Sequence, residues 1–448
     1  MLDYNLLLAI FSGVAILLVL ILRFKIQAFI ALLIASVSVG IIAGMPPKEI
    51  LTTMQNGMGG TLGFVALVVG LGAIFGSILE QSGGAEALAN YLLAKFGEKR
   101  ASWALMLTGF LVAIPVFFDV AFIILIPLIY SLQRKTKKSL LLYAIPLLAG
   151  LAITHSFIPP TPGPVAVADI LKADLGWVIL LGFIVGIPTA VICGPLFANY
   201  ISKKIHIEAP VLENDSNEVK NYPAVQLILS IIGIPIVLIV ANTVLNSPLI
   251  GNEVVSKSIK EWVGLIGNPF IALIIANLIA WYVLGIRRGL TKEELLKIAT
   301  KSMAPAGLII LLTGAGGVFK QMLINTGSGE MLANYFASSG IGILFFAFFI
   351  AVLVRILQGS ATVAMITAAG VTAPLLVDTT ISEGSKALLV IAIASGASVM
   401  SHVNDSGFWL VGKYLGLTEK QTFKSWTVMT TILALSSFLI VAILSIFI

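Results

Sequence analysis

A single cysteine, Cys193, among 448 residues leaves no intramolecular disulfide framework and no thiolate cluster for a metal. Its expected role is packing in the core or against lipid. Histidine occurs three times, and charged residues make up 11% of the chain, well under half of the roughly 25% usual in soluble domains. There is no Walker A loop, so ATP-driven transport is not encoded. HExxH and GxSxG are missing too, and with them the signatures of zinc and serine hydrolases. No nucleic-acid-binding motif accompanies the formal charge of +6, and the basic residues sit at the ends of apolar runs. No cofactor, metal or nucleic-acid partner is therefore expected. The first apolar run ends in Arg23 and Lys25 without a small-residue cleavage site, so no cleavable signal is expected either.

What is present is hydrophobicity. Apolar residues make up 58% of the chain, and the mean hydropathy is +1.06. About 20 such residues span a bilayer. Crossings are expected near 4–22, 26–44, 60–80, 139–170, 177–199, 223–245, 268–286, 304–324, 387–412 and 424–447, those at 139–170 and 387–412 being interrupted. Two more apolar segments, 101–132 and 339–376, are too long for one helix, and each carries a polar break: Phe118-Asp119 in the first, Arg355 with Gln358-Gly359-Ser360 in the second.

The chain also repeats itself. Gly70–Tyr91 returns as Gly314–Tyr335, with ten of 22 aligned positions identical, including the closing Leu-Ala-Asn-Tyr. Duplicated membrane units are the mark of secondary transporters, whose sites lie between the copies. Basic residues concentrate on the cytoplasmic side of membrane proteins. With Arg23-Phe24-Lys25 inside, the inside segments hold 20 of the 27 Lys and Arg residues, and both termini fall in the periplasm. On this count 101–132 enters and leaves from the inside, and 339–376 from the outside, so both are re-entrant hairpins. The expected fold is an all-α polytopic membrane protein of two inverted-topology repeats, 1–201 and 223–448, each of about five crossings plus one hairpin. A cytoplasmic linker, 202–222, joins them; His206 in it reads as a solvated loop residue.

Backbone that leaves the helix at membrane depth must be buried in protein or line a cavity, and broken helices offer N–H groups to anions and carbonyls to cations. Four breaks are expected. Two are hairpin tips: Pro115–Ile123, with Asp119 at the turn, and Arg355–Val363, where Gly359 permits the turn and Ser360 or Thr362 caps the second arm, contacts a ligand, or both. The others interrupt crossing helices: Thr154–Asp169, with four prolines, and Met400–Phe408. His155 and His402 fall at equivalent points of these two, and Asn404 and Asp405 add acceptors for hydroxyls or a cation. Asp169 reads as a helix end. A charge at membrane depth is costly unless paired or solvated. Asp119 and Arg355 therefore either lock the hairpins as an ion pair or act on substrate, and that cost favours the second. Arg355 offers a bidentate fork to a carboxylate, while Asp119 can carry a proton or accept substrate hydroxyls.

The segments Phe117-Phe118-Asp119, Ile153–Ala168 (ITHSFIPPTPGPVAVA), Gln358–Gly370 (QGSATVAMITAAG) and Ser401–Leu410 (SHVNDSGFWL) resemble the gluconate permease (GntP-type) family, and the resemblance extends over essentially the whole chain. It implies proton symport of gluconate or a related small hydroxy monocarboxylate across the bacterial inner membrane, by an elevator motion and often in a homodimer. Gluconate carriers have Glu at the position of Asp119 and His at that of Thr161, so the pocket departs from the family pattern at two points. The expected roles are Arg355, Gln358, Gly359, Ser360, Thr362, Thr161, Asn404 and Asp405 in substrate binding, and Asp119, His155 and His402 in proton coupling. The runner-up is a carrier or exchanger for D-serine or another small carboxylate. A channel would show a continuous polar stripe along several helices, whereas here the polar residues gather at four midpoints.

Overall fold

Inside hydrocarbon a helix satisfies its own backbone groups, and every regular element among the described residues of the computed structural model is helical. Those residues are 4–210, 222–246, 255–327, 342–377, 381–403 and 405–448. Among them seven helices are long and apolar enough to cross a membrane: Pro47–Gln81, Leu141–Leu171, Leu175–Lys204, Val225–Leu245, Pro269–Arg288, Lys292–Asn325 and Glu419–Leu444. The expected crossings 4–22 and 26–44 form the helices Tyr4–Leu22 and Ala28–Ile42. The interrupted crossing 387–412 is two short helices, Glu383–Ala397 and Ser406–Leu415.

The repeated block belongs to two long helices, Pro47–Gln81 and Lys292–Asn325, of 35 and 34 residues. Both begin well before the apolar stretches that hydropathy marks. Pro47 supplies the preset φ of a first helical position, and Thr291 with Glu294 closes a capping box. They pack antiparallel: Asn325 Nδ2 donates to Thr53 Oγ1 at 2.8 Å near one end, and Gly57 lies against Gly317 further along. A Cβ on Gly317 would come within 2.6 Å of the Gly57 carbonyl oxygen, so only glycine permits this approach. The second copy of the block runs past Gly327 into residues that lie outside the described ones.

Each over-long apolar segment folds into two arms. The first hairpin has arms Ala101–Val112 and Phe118–Thr136; the second has Ile343–Gln358 and Ala361–Thr372. Each interrupted crossing is two half-helices, Leu141–Phe157 with Pro162–Leu171, and Glu383–Ala397 with Ser406–Leu415. The first hairpin is seated on the first broken helix. Thr154 Oγ1 donates to the Phe110 carbonyl at 2.8 Å, and a Cβ on Gly109 would lie 2.3 Å from the Leu147 carbonyl oxygen. Cys193 is buried in the main core, and His206 is exposed beyond the helix end at Lys204.

Candidate functional site

The first hairpin turns through Ala113–Phe117, a little earlier than expected. Pro115 and Val116 make the bend, and the second arm starts at Phe118. Asp119 consequently sits in the first turn of that arm instead of at the bend, where the N-terminal N–H groups favour its charge. It has no hydrogen-bond or ion-pair partner among the described residues. The second hairpin turns as expected. Gly359 adopts φ +90°, Ser360 caps the second arm by accepting from Val363 N at 3.4 Å, and Gln358 Oε1 accepts from Ser360 N at 2.7 Å. Ser360 thus caps and also faces the cavity described below, whereas Gln358 serves the turn.

The two breaks differ. In the first, Thr161 Oγ1 donates to the Ile158 carbonyl at 2.6 Å, and the residue lies beside Gly72 and Ala73 of the first long helix. His155 stands near the rings of Phe117 and Phe118, each 6.5 Å away, and its buried Nδ1 has no hydrogen-bond partner among the described residues. In the second, Asp405 caps Ser406–Leu415 by accepting from Gly407 N at 3.1 Å. His402 Nε2 donates to the Ile356 carbonyl at 2.8 Å, a direction set by the carbonyl having only acceptor capacity. Asn404 lies outside the described residues.

Three helix N-termini converge on one cavity of about 520 Å³: Phe118–Val120, Ser360–Thr362 and Asp405–Gly407 all line it. The first N–H groups of a helix have no intrahelical acceptor, so such ends favour an anion; here Ser360 and Asp405 each accept one of them. Arg355 completes it. The residue is almost wholly buried, and three of its five N–H donors have partners. Nη2 pairs with Asp405 Oδ2 at 2.6 Å, Nε donates to the Val399 carbonyl at 3.3 Å, and Nη1 donates to the Gly359 carbonyl. The ion pair considered from sequence, Asp119 with Arg355, is not formed; Asp405 holds the arginine.

Of the expected site residues, Asp119, His155, Arg355, Ser360, Thr362 and Asp405 line this cavity. Gly359 forms its turn, while Thr161, Gln358 and His402 are engaged elsewhere. Asp169 is remote, ion-paired with Lys172 at 2.9 Å. Sequence reading missed Ser156, Ser398, Ser401, Trp426 and Thr430. Ser401 Oγ accepts from Trp426 Nε1 at 2.6 Å and donates to Asp405 Oδ2, and Ser401 N donates to Thr430 Oγ1 at 3.1 Å. Ser401 stood inside a break read from sequence; Trp426, in an ordinary apolar crossing, carried no local signal.

Comparison with known proteins agrees with this architecture. The low-affinity gluconate transporter of Escherichia coli is 41% identical over 435 residues, covering 97% of this chain and 96% of that protein. The gluconate permease of Pseudomonas aeruginosa is 39% identical over 433 residues, with 96% and 95% covered. In fold, the chain is similar to the crystal structure of the YdaH transporter of Alcanivorax borkumensis, with a TM-score of 0.63, 15% identity and 90% of each chain covered. The family model of the GntP family permeases matches residues 4–447. The chain belongs to the GntP family of membrane permeases.

Proposed function

We propose that this permease imports gluconate, or a sugar acid close to it, by proton symport across a bacterial inner membrane. The observation that carries the reading is the pairing of Arg355 with three helix N-termini around one cavity. A carboxylate is the ligand such a set of donors fits, and relatives at 41% and 39% identity carry gluconate in their names. The volume lies in the range of small-molecule sites. Arg355 and the N–H groups at Ser360–Thr362 would hold the carboxylate. Asp119, whose oxygens have no partner among the described residues, would accept hydroxyls further along the chain of the substrate, with Asn404 a further candidate.

We read the transport cycle as an elevator motion between two inverted repeats with periplasmic termini. The antiparallel packing of the long helices supports the inversion. In support of a moving unit, the cavity draws on the hairpins, the breaks and the last crossing, with Pro305 and Ile309 its contacts on the second long helix. The helices in 4–44 and 223–286 would then form the scaffold and the contact of a homodimer.

Uptake of radiolabelled gluconate into proteoliposomes tests the proposal. Accumulation should require an inward proton gradient or a negative interior, and should be competed by other aldonates. Accumulation that survives collapse of both gradients would refute symport. Competition by D-serine in place of aldonates would move the substrate to the runner-up class.

A further inference from the structure

Arg355 is held from behind. Nε and Nη1 are tied to the carbonyls of Val399 and Gly359, so the guanidinium has a fixed orientation. The partner on the cavity side is Asp405, joined through Nη2 and Oδ2 at 2.6 Å, with the two side chains only 4% and 14% exposed. Both residues line the cavity. A substrate carboxylate that takes the Nη2 donor held by Asp405 displaces that aspartate. Two carboxylates cannot share one buried guanidinium without leaving one negative charge uncompensated.

We infer that Asp405 is the group that exchanges Arg355 for the coupling proton: the incoming carboxylate displaces it, and it binds one proton as it leaves. This rests on the reading of proton-coupled sugar-acid transport above. The balance closes. One substrate anion and one proton enter, the Arg355–Asp405 ion pair breaks, an Arg355–substrate ion pair forms, and Asp405 becomes a neutral acid. The net charge of the site is the same before and after loading, so a loaded carrier meets no added electrostatic barrier in crossing.

The surroundings are arranged for both forms of Asp405. The Ser401 hydroxyl, anchored by Trp426 Nε1 at 2.6 Å, donates to the ionised carboxylate. A hydroxyl has one donor and two acceptor sites, so the same Ser401 oxygen can accept from the protonated acid. The other ionisable groups near the exchange are differently placed. Asp119, on the facing hairpin arm, has no partner to lose. His155, on the first broken helix, touches no anion and stands beside two phenylalanine rings. His402, on Asp405's own segment, is committed to the Ile356 carbonyl. From the second long helix Pro305 and Ile309 face the cavity, and from the last crossing Trp426, Thr430 and Leu433, none of them ionisable.

The test is proton uptake on adding gluconate to the purified full-length protein in weak buffer, alongside the gluconate Kd across pH. Linkage fixes the sign: binding that takes up a proton weakens as pH rises, about tenfold per pH unit where a whole proton is taken up. The wild type should take up about one proton per gluconate bound and show that slope. Asp405→Asn keeps a capping oxygen for Gly407 N and should bind gluconate with no proton uptake and a Kd flat in pH. Ser401→Ala keeps the carboxylate but removes a donor to its ionised form, so the pH at which affinity begins to fall should move upward. Proton uptake persisting in Asp405→Asn overturns the exchange while leaving gluconate transport standing. So does a Ser401→Ala profile that superimposes on the wild type, which covers the case of an Asn variant that does not fold. Absence of gluconate binding in the wild type overturns the substrate reading, and this exchange with it.

Discussion

Ser156 and Ser398 are hydrogen-bonded through their hydroxyls at 3.3 Å, at the point where the two broken helices meet beside the cavity. Ser398 also bonds back to the Ala394 carbonyl at 2.7 Å. A hydroxyl pair of this kind lets two helix ends, the last turn of Leu141–Phe157 and the C-cap of Glu383–Ala397, approach each other without stranding a polar group. Ser398→Ala should lower stability by about 1 kcal/mol, seen as a lower thermal midpoint in detergent. Ser398→Leu forces a branched side chain into the same crossing, where overpacking costs about 1–3 kcal/mol. It should also project into the cavity and reduce uptake far more than the stability loss alone explains.

Arg355→Lys separates charge from geometry. An ammonium keeps the positive charge but cannot hold three fixed partners and still present a planar fork. Gluconate affinity, measured by calorimetry, should fall about tenfold to a hundredfold, equivalent to roughly 1.4–2.8 kcal/mol. An unchanged affinity would place the carboxylate elsewhere.

Much of this site could be read from the chain because breaks at membrane depth are written in residue types. Gly359 and Ser360 gave the second turn, and Pro159-Pro160 with Pro162 gave the first interruption, since no helix continues through them. What could not be read was pairing across space. Arg355 has as its partner an aspartate 50 residues ahead and not the one on the opposite hairpin, because Asp405 caps a half-helix that starts beside the guanidinium. Thr161 was expected in the pocket from the family resemblance, at a position where gluconate carriers have His, yet its hydroxyl turns to the Ile158 carbonyl. Trp426 was invisible because an indole in an apolar crossing reads as lipid-facing or packed. Its function depends on where Ser401 comes to rest.

Asp119 offers a way to tell hydroxyl recognition from carboxylate recognition. Its oxygens have no partner among the described residues, and it lines the cavity from the first hairpin. A charged acceptor for a substrate hydroxyl is worth about 1.5–3 kcal/mol, and Asn halves the acceptor capacity and removes the charge. Asp119→Asn should reduce gluconate-induced thermal stabilisation toward that given by lactate, a short acid with one hydroxyl, while lactate's own effect changes little. Equal losses for both acids would assign Asp119 to the carboxylate end or to general folding.

Glycine to alanine at two positions of the same long helix should have opposite signs. Gly307 has open space where a Cβ would go. There alanine removes the entropic cost of glycine in a helix, about 0.5–1 kcal/mol, and should raise the thermal midpoint. At Gly317 the same methyl would lie 2.2 Å from Thr61 Oγ1 and 2.6 Å from the Gly57 carbonyl oxygen. One of these is backbone and cannot rotate away, so the helices must separate. Overpacking of this kind costs about 1–3 kcal/mol and should outweigh the propensity gain. Because the second long helix also supplies Pro305 and Ile309 to the cavity, Gly317→Ala should weaken gluconate binding as well as lower the midpoint. Gly317→Ala combined with Thr61→Ala removes the hydroxyl contact but leaves the Thr61 Cβ at 2.8 Å and the Gly57 carbonyl, and should recover part of the loss. Full recovery would mean that the glycine was needed for the Thr61 hydroxyl alone and not for the backbone contact.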